Sequence, residues 1–152
     1  MMADLYIGVD PGRSGAICCT DMNRVADIIT LTDVSYAEMW SAITDYIHGS
    51  VCVACIEQVN AMPGQGVSST FKFGESYGSL LMLLAAAKVS FTRVRPASWC
   101  SEFGLKRDPN ETQSEWKNRH KVLALELFPD TKITHATADA LLISEYCRRE
   151  NM

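Results

Sequence analysis

Leu5-Tyr6-Ile7-Gly8-Val9-Asp10-Pro11-Gly12 is the stretch that decides how this chain folds. A run of apolar residues with one glycine ends in an acid, and Pro-Gly then forces a turn. A second run, Val51-Cys52-Val53-Ala54-Cys55-Ile56-Glu57, has the same plan. Its apolar residues face both ways, as expected of a central strand covered on both sides. Each strand therefore delivers a carboxylate, Asp10 or Glu57, to its end.

The rest of the chain builds outward from these two strands. Residues 16–20 and 25–31 read as strands that continue the first into a meander. Tyr36, Met39, Trp40, Ile43 and Ile47 fall at helical spacing and predict a helix over 35–48. Residues 60–69, rich in Gly, Ser and Pro, read as a mobile loop directly after Glu57, and a strongly apolar helix follows over 70–88. A short fifth strand is expected at 91–94, a brief helix from Pro96, a polar loop at 106–111, and helices over 113–128 and 135–149. This order predicts an α/β fold: a five-stranded mixed sheet flanked by helices on both faces, in one domain spanning 1–152.

Length and composition bound the possibilities. A chain of 152 residues with 47% hydrophobic and 21% charged residues is long enough to bury a core without staples. Its longest wholly apolar run, Leu80 to Ala87, is far too short to cross a bilayer. The N-terminal stretch is broken by Asp4, Gly8, Asp10 and Pro11 and does not read as a signal peptide, so a soluble, cytoplasmic protein with no membrane partner is expected. Cys52 and Cys55 have the spacing of a zinc knuckle, but on a strand side chains three apart point to opposite faces. The six cysteines are expected to be buried free thiols.

The net charge of −4 is unevenly spread. Residues 1–60 hold two basic and eight acidic residues, whereas residues 93–121 hold seven basic and four acidic. This permits a basic surface on one side of an acidic protein, and permits no more than that.

The third acid, Asp139, lies in Ala138-Asp139-Ala140-Leu141-Leu142-Ile143, a helix apolar on most sides, so Asp139 is expected to face the sheet. Each acid has a plainer alternative, Asp10 as a turn-starting aspartate, Glu57 as a strand cap and Asp139 as a helix-face acid. A charge directly after Ala54-Cys55-Ile56 is nonetheless costly unless paired or metal-bound. Together the three acids repel one another unless cations intervene, which points to a divalent-metal site. His135, four residues before Asp139, shares its helix face and is a candidate ligand or proton handler. The Asp10-Pro11-Gly12 turn with Gly15 is also similar to phosphate loops of sugar kinases and actin-like ATPases, but the second phosphate loop of those proteins is missing.

The ordered set of segments resembles the RuvC-type Holliday-junction resolvases of the ribonuclease H-like superfamily, in particular their compact bacteriophage branch. The matching stretches are Ile7-Gly8-Val9-Asp10-Pro11-Gly12 with Ser14-Gly15-Ala16, Ile56-Glu57-Gln58-Val59, and Phe71-Lys72-Phe73-Gly74 with Tyr77-Gly78. Val94-Arg95-Pro96 with Trp99, and His135 with Ala138-Asp139-Ala140-Leu141-Leu142-Ile143, complete the series. The resemblance implies a ribonuclease H-like nuclease domain in which Asp10, Glu57 and Asp139 bind metal. Many cellular members carry a further aspartate where this chain has Ala136, and the resemblance implies His135, one residue earlier, as its substitute.

The same resemblance implies two Mg²⁺ ions per active site, with Mn²⁺ as a substitute, and paired nicks leaving 5′-phosphate and 3′-hydroxyl ends. Branched DNA, above all four-way junctions, is the implied partner, and the helix over 70–88 the implied homodimer interface. A phage origin would place the protein in the bacterial host cytoplasm. Phe71, Lys72 and Phe73 are candidates for contact with unpaired bases, and Lys106, Arg107, Lys117 and Lys121 for contact with phosphates. Three alternatives stay open: a broader flap or branch nuclease, an RNA-processing relative, and a non-catalytic module that binds branched DNA.

Overall fold

A computed structural model describes residues 2–152. Its five strands are β1 (Leu5–Asp10), β2 (Ala16–Thr20), β3 (Ala26–Thr30), β4 (Cys52–Glu57) and β5 (Ser90–Val94). Its helices are α1 (Tyr36–Ile47), α2 (Val67–Ala86), α3 (Pro96–Glu102), α4 (Gln113–Leu127) and α5 (His135–Glu150). The strands form one sheet in the order β3-β2-β1-β4-β5. β1 and β2, and β2 and β3, pair antiparallel; β1 and β4, and β4 and β5, pair parallel. The expected five-stranded mixed sheet with helices on both faces is the fold observed.

Alternation along the strands sorts the two cores. Ile7, Val9, Ala54 and Ile56 pack with Met39 and Ile43 of α1 and with Leu80, Leu83 and Leu84 of α2. Tyr6 and Cys55 face the other way, into a core with Trp99 of α3, Ala124 of α4 and Ala138 to Ile143 of α5. Asp10 and Glu57 share the parity of Tyr6 and Cys55. Both acids therefore turn toward α5, the helix that carries Asp139.

α5 lies directly on β1, and Gly8 makes that possible. A Cβ at residue 8 would stand 2.1 Å from the Ala140 carbonyl oxygen and 2.3 Å from the Ser144 nitrogen. Any side chain there would lift the helix, and Asp139 with it, away from the strand. Residues Thr137 to Glu145 of α5 are all buried, which is why the apolar stretch in this helix has no solvent-facing stripe.

Local signals account for most element boundaries. Ser35 and Glu38 form a capping box at the start of α1, Thr112 and Glu115 form one at α4, and Pro96 sits in the first turn of α3. α2 starts at Val67, three residues before the expected Thr70, inside the expected loop. Its first turn is closed by Thr70 N–H donating to Gly66 O at 2.9 Å, but it buries nothing, so hydrophobic periodicity gives no sign of it. The six cysteines are free, and all but Cys52 are buried. No helix among the described residues is long and apolar enough to cross a membrane.

Candidate active site

Because β1 and β4 are adjacent and parallel, with Val9 opposite Ile56, their terminal acids emerge side by side at one edge of the sheet. Behind Asp10 the chain turns tightly: Gly15 N–H donates to Gly12 O at 3.1 Å, and a Cβ on Gly15 would meet the Asp10 carbonyl oxygen at 1.9 Å. This turn ends β1 and starts β2. α5 brings Asp139, 4% exposed, up against the same edge. Asp10, Glu57 and Asp139 are close enough to perturb one another's protonation.

Two of the three acids are held by neighbouring side chains. Glu57 Oε2 accepts a hydrogen bond from Trp99 Nε1 at 2.8 Å, and Trp99 is buried in α3. Asp139 Oδ1 pairs with His120 Nδ1 at 2.6 Å, and Asp139 Oδ2 accepts from the Lys117 ammonium. His120 is fully buried between two indoles, edge-on to Trp99 at 5.4 Å and to Trp116 at 4.4 Å between ring centroids. Trp116 in turn donates from Nε1 to Leu105 O at 2.6 Å, tying α4 to the end of the α3 loop. The Asp10 carboxylate accepts no hydrogen bond from any described residue.

The electrostatics follow from this inequality. Burial, reinforced by the charges of Asp139 and Glu57, pushes the Asp10 carboxyl up to about 8. Burial also raises Glu57, and the Asp139 charge adds to it against the Trp99 hydrogen bond. Burial opposes ionisation of Asp139 too, but the His120 hydrogen bond and the Lys117 charge outweigh it, so Asp139 lies below the usual carboxylate range. Lys117 is raised: burial works against its charge, and attraction to Asp139, Asp10 and Glu57 prevails. Three acids thus share one lysine, and the two that lack it, Asp10 and Glu57, are the two whose ionisation the site opposes.

The other sequence candidates divide into those near the cluster and those outside it. Phe73 is half-buried against the turn after β1, with its Cε2 3.5 Å from where a Gly12 Cβ would be. Phe71 is 74% exposed on α2, and Lys72 is also exposed. Lys106 and Arg107 are exposed in the loop between α3 and α4, and Lys121 is half-buried on α4. Lys117, read from sequence with Lys121 as a candidate phosphate contact, donates to Asp139 and so joins the acid cluster. His135 is exposed at the first residue of α5, and no described residue forms a hydrogen bond or ion pair with it. The histidine on Asp139 is His120, from a different helix.

His120 and the inward turn of Lys117 escaped the sequence reading. One signal for them exists. The core face of α4 that carries Ala124 continues N-terminally through His120 and Lys117, so polar residues stand where a core stripe should run. Buried polar residues at such positions need partners, and Asp139 is that partner.

A divalent cation suits this site in donor chemistry: three carboxylates, all oxygen donors, one of them unpartnered and held well above the usual carboxylate range by burial and by the charges of the other two. The spacing is not that of a finished cage. Among the described residues no three His, Cys, Asp or Glu side chains stand within reach of one ion.

No protein-family model matches the chain, and no curated protein matches it in sequence. Solved structures do match. A Thermus thermophilus RuvC structure aligns over 97% of this chain and 97% of its own, with a TM-score of 0.58 and 13% identity. T. thermophilus RuvC in complex with a Holliday junction substrate aligns over 92% of this chain and 89% of its own, with a TM-score of 0.58 and 12% identity. The yeast mitochondrial Holliday junction resolvase Ydc2 aligns over 94% and 77%, with a TM-score of 0.49 and 15% identity. The strand order, the helix laid on β1 and the acid-bearing edge thus occur together in a chain whose fold is that of the RuvC-type, ribonuclease H-like proteins.

Proposed function

We propose that the protein is a divalent-metal-dependent endonuclease that cuts branched DNA, with four-way junctions as its principal substrate. The observation that carries this reading is the gathering of Asp10, Glu57 and Asp139 at one sheet edge, with Asp10 left unpaired and pushed up to about 8. A cluster that leaves one acid unpaired and short of positive charge is built to receive cations. The likeness in fold to RuvC-type structures, one of them in complex with a Holliday junction, agrees with it.

In this reading Asp10, Glu57 and Asp139 are the ligands, with His135 contributing from the exposed end of α5. Two Mg²⁺ or Mn²⁺ ions bound there would activate a water and stabilise the leaving 3′ oxygen, giving 5′-phosphate and 3′-hydroxyl ends. The protein's own groups prepare this chemistry. Trp99 fixes one oxygen of Glu57 and leaves the other to take a cation, while His120 fixes Oδ1 of Asp139, whose Oδ2 carries the Lys117 ammonium. Lys117 supplies positive charge at the cluster, where a scissile phosphate would lie. Phe71, Lys72 and Phe73 face the branch point, while Lys106, Arg107 and Lys121 hold phosphates farther along an arm. α2, with Phe71 and Met82 exposed at 74% and 66%, pairs with a second copy so that two sites meet the two symmetric strands. The chain acts as one catalytic domain in the cytoplasm.

Strand cleavage of a labelled four-way junction in Mg²⁺, beside matched flap, linear duplex and RNA–DNA hybrid substrates, tests this. Paired symmetric nicks confined to the junction are expected. Cutting of several branched forms would make it a general branch nuclease. Absence of cutting in both Mg²⁺ and Mn²⁺ would leave a module that only binds.

A further inference from the structure

Lys117 occupies the place where a cation belongs. His120, buried and immobile between two tryptophans, takes Asp139 Oδ1, so Oδ2 is the oxygen left for a ligand, and the Lys117 ammonium is on it. Lys117 is not locked in the same way. Its side chain is 34% exposed, and beyond a cation–π contact with the Trp116 ring at 5.4 Å no described residue other than Asp139 holds its ammonium. A lysine is a point charge on a flexible stem, and it can leave by rotating into solvent, which a forked guanidinium held on two sides cannot readily do.

We propose that Lys117 is a resident counter-cation of the carboxylate cluster, which yields Asp139 Oδ2 when a divalent cation enters and is then free to meet the scissile phosphate. This rests on the metal-dependent reading of the site and adds how the site is regulated. The lysine offsets part of the negative charge of the cluster through its bond to Asp139. It also sets a threshold on metal binding, because affinity falls by the fraction of molecules in which the oxygen is open. A lysine bound 90–99% of the time lowers apparent affinity by roughly 10–100-fold.

Mn²⁺ titration by calorimetry, without DNA, compares the wild type with Lys117→Met and Lys117→Arg. Lys117→Met is expected to bind Mn²⁺ about tenfold more tightly or better, and Lys117→Arg no more tightly than the wild type. Equal or weaker binding by Lys117→Met overturns the exchange while leaving the metal site standing; no binding by any of the three proteins overturns both. A second measurement needs only the wild type. In ¹⁵N-lysine NMR, the Lys117 ammonium signal, protected by its bond to Asp139, is expected to lose that protection as Mg²⁺ saturates the site. An unchanged signal at saturation overturns the proposal and separates exchange from simple charge repulsion.

Discussion

Two buried carboxylates on α5, Asp139 and Glu145, sit six residues apart and could hardly be treated more differently. Glu145 is 1% exposed and is reached by three arginines. Arg24 bonds it through Nε and Nη2, Arg148 forks onto both its oxygens at 2.8 Å, and Arg149 adds a bond at 3.1 Å. Those partners outweigh its burial and hold it at about 2. At Asp139 the ratio is inverted: three acids share one lysine and one histidine. The Glu145 cluster joins the β2–β3 hairpin to the C-terminal half of α5 and leaves no lone pair for a ligand. The Asp139 cluster is short of positive charge. A buried acid with too many cations reads as structure, and buried acids with too few read as a site waiting for something.

The sharpest way to break this contrast is to mutate both ends. Asp10→Asn is expected to reduce junction cleavage by about 10³-fold or more while leaving junction affinity unchanged, because a lost cation ligand removes the charge stabilisation of the transition state. Gel-shift and cleavage assays on the same preparation check both halves, and retained cleavage in Mg²⁺ would remove Asp10 from the site. Glu145→Ala is expected to do the reverse. It strands three guanidinium groups and should cost about 3 kcal/mol of stability by denaturant titration, with normal turnover per folded molecule.

The two histidines test the site more finely. His120→Ala should lower metal affinity or turnover roughly 10–100-fold, because Asp139 loses the contact that orients it. His135→Ala should reduce turnover and leave the melting temperature unchanged, since His135 is exposed and bonded to nothing described. Wild-type rates for His135→Ala would return that residue to a solvated helix start.

The smallest expected effect concerns pH. Asp10 has a folded-state pKa raised from the model-peptide value of 3.8 to about 8, and Glu57 is raised as well. The protonated acids therefore favour the fold, and that contribution is complete below pH 3.8 and is lost as pH rises toward about 8. Asp139 and Glu145 are depressed, so their contributions are already complete above the usual carboxylate range. Metal-free protein should thus lose stability between about pH 4 and 8. Asp10→Asn should flatten that slope and gain at least about 1 kcal/mol at pH 7.5, the worth of less than one pKa unit. A pH profile of thermal melting with chelator present would show it, and added Mg²⁺ should restore the wild type.

Legibility in the sequence tracked burial pattern. β1 and β4 were readable because a strand covered on both faces is apolar throughout and ends abruptly at its acid. The Ser35 and Thr112 capping boxes show in the structure why α1 and α4 begin where they do, and α1 was readable from its periodicity. The first turn of α2 was not, since Val67, Ser68 and Ser69 bury nothing and leave no period to detect. Asp139 was legible as an acid in an apolar helix. The identity of its histidine was not: a separation of four residues favoured His135, while the contact comes from His120, nineteen residues away on a helix whose packing angle no local rule supplies.

The sequence by itself determined the alternation of strands and helices, the two acids at strand ends and the third acid within an apolar helix, because propensity, turn chemistry and hydrophobic period act over a few residues. Only the tertiary structure decided that β1 and β4 are neighbours, that α5 settles on Gly8, and that Lys117 turns inward to Asp139. Those outcomes depend on which buried polar groups find partners once the helices are packed, and that is settled by the whole core at once.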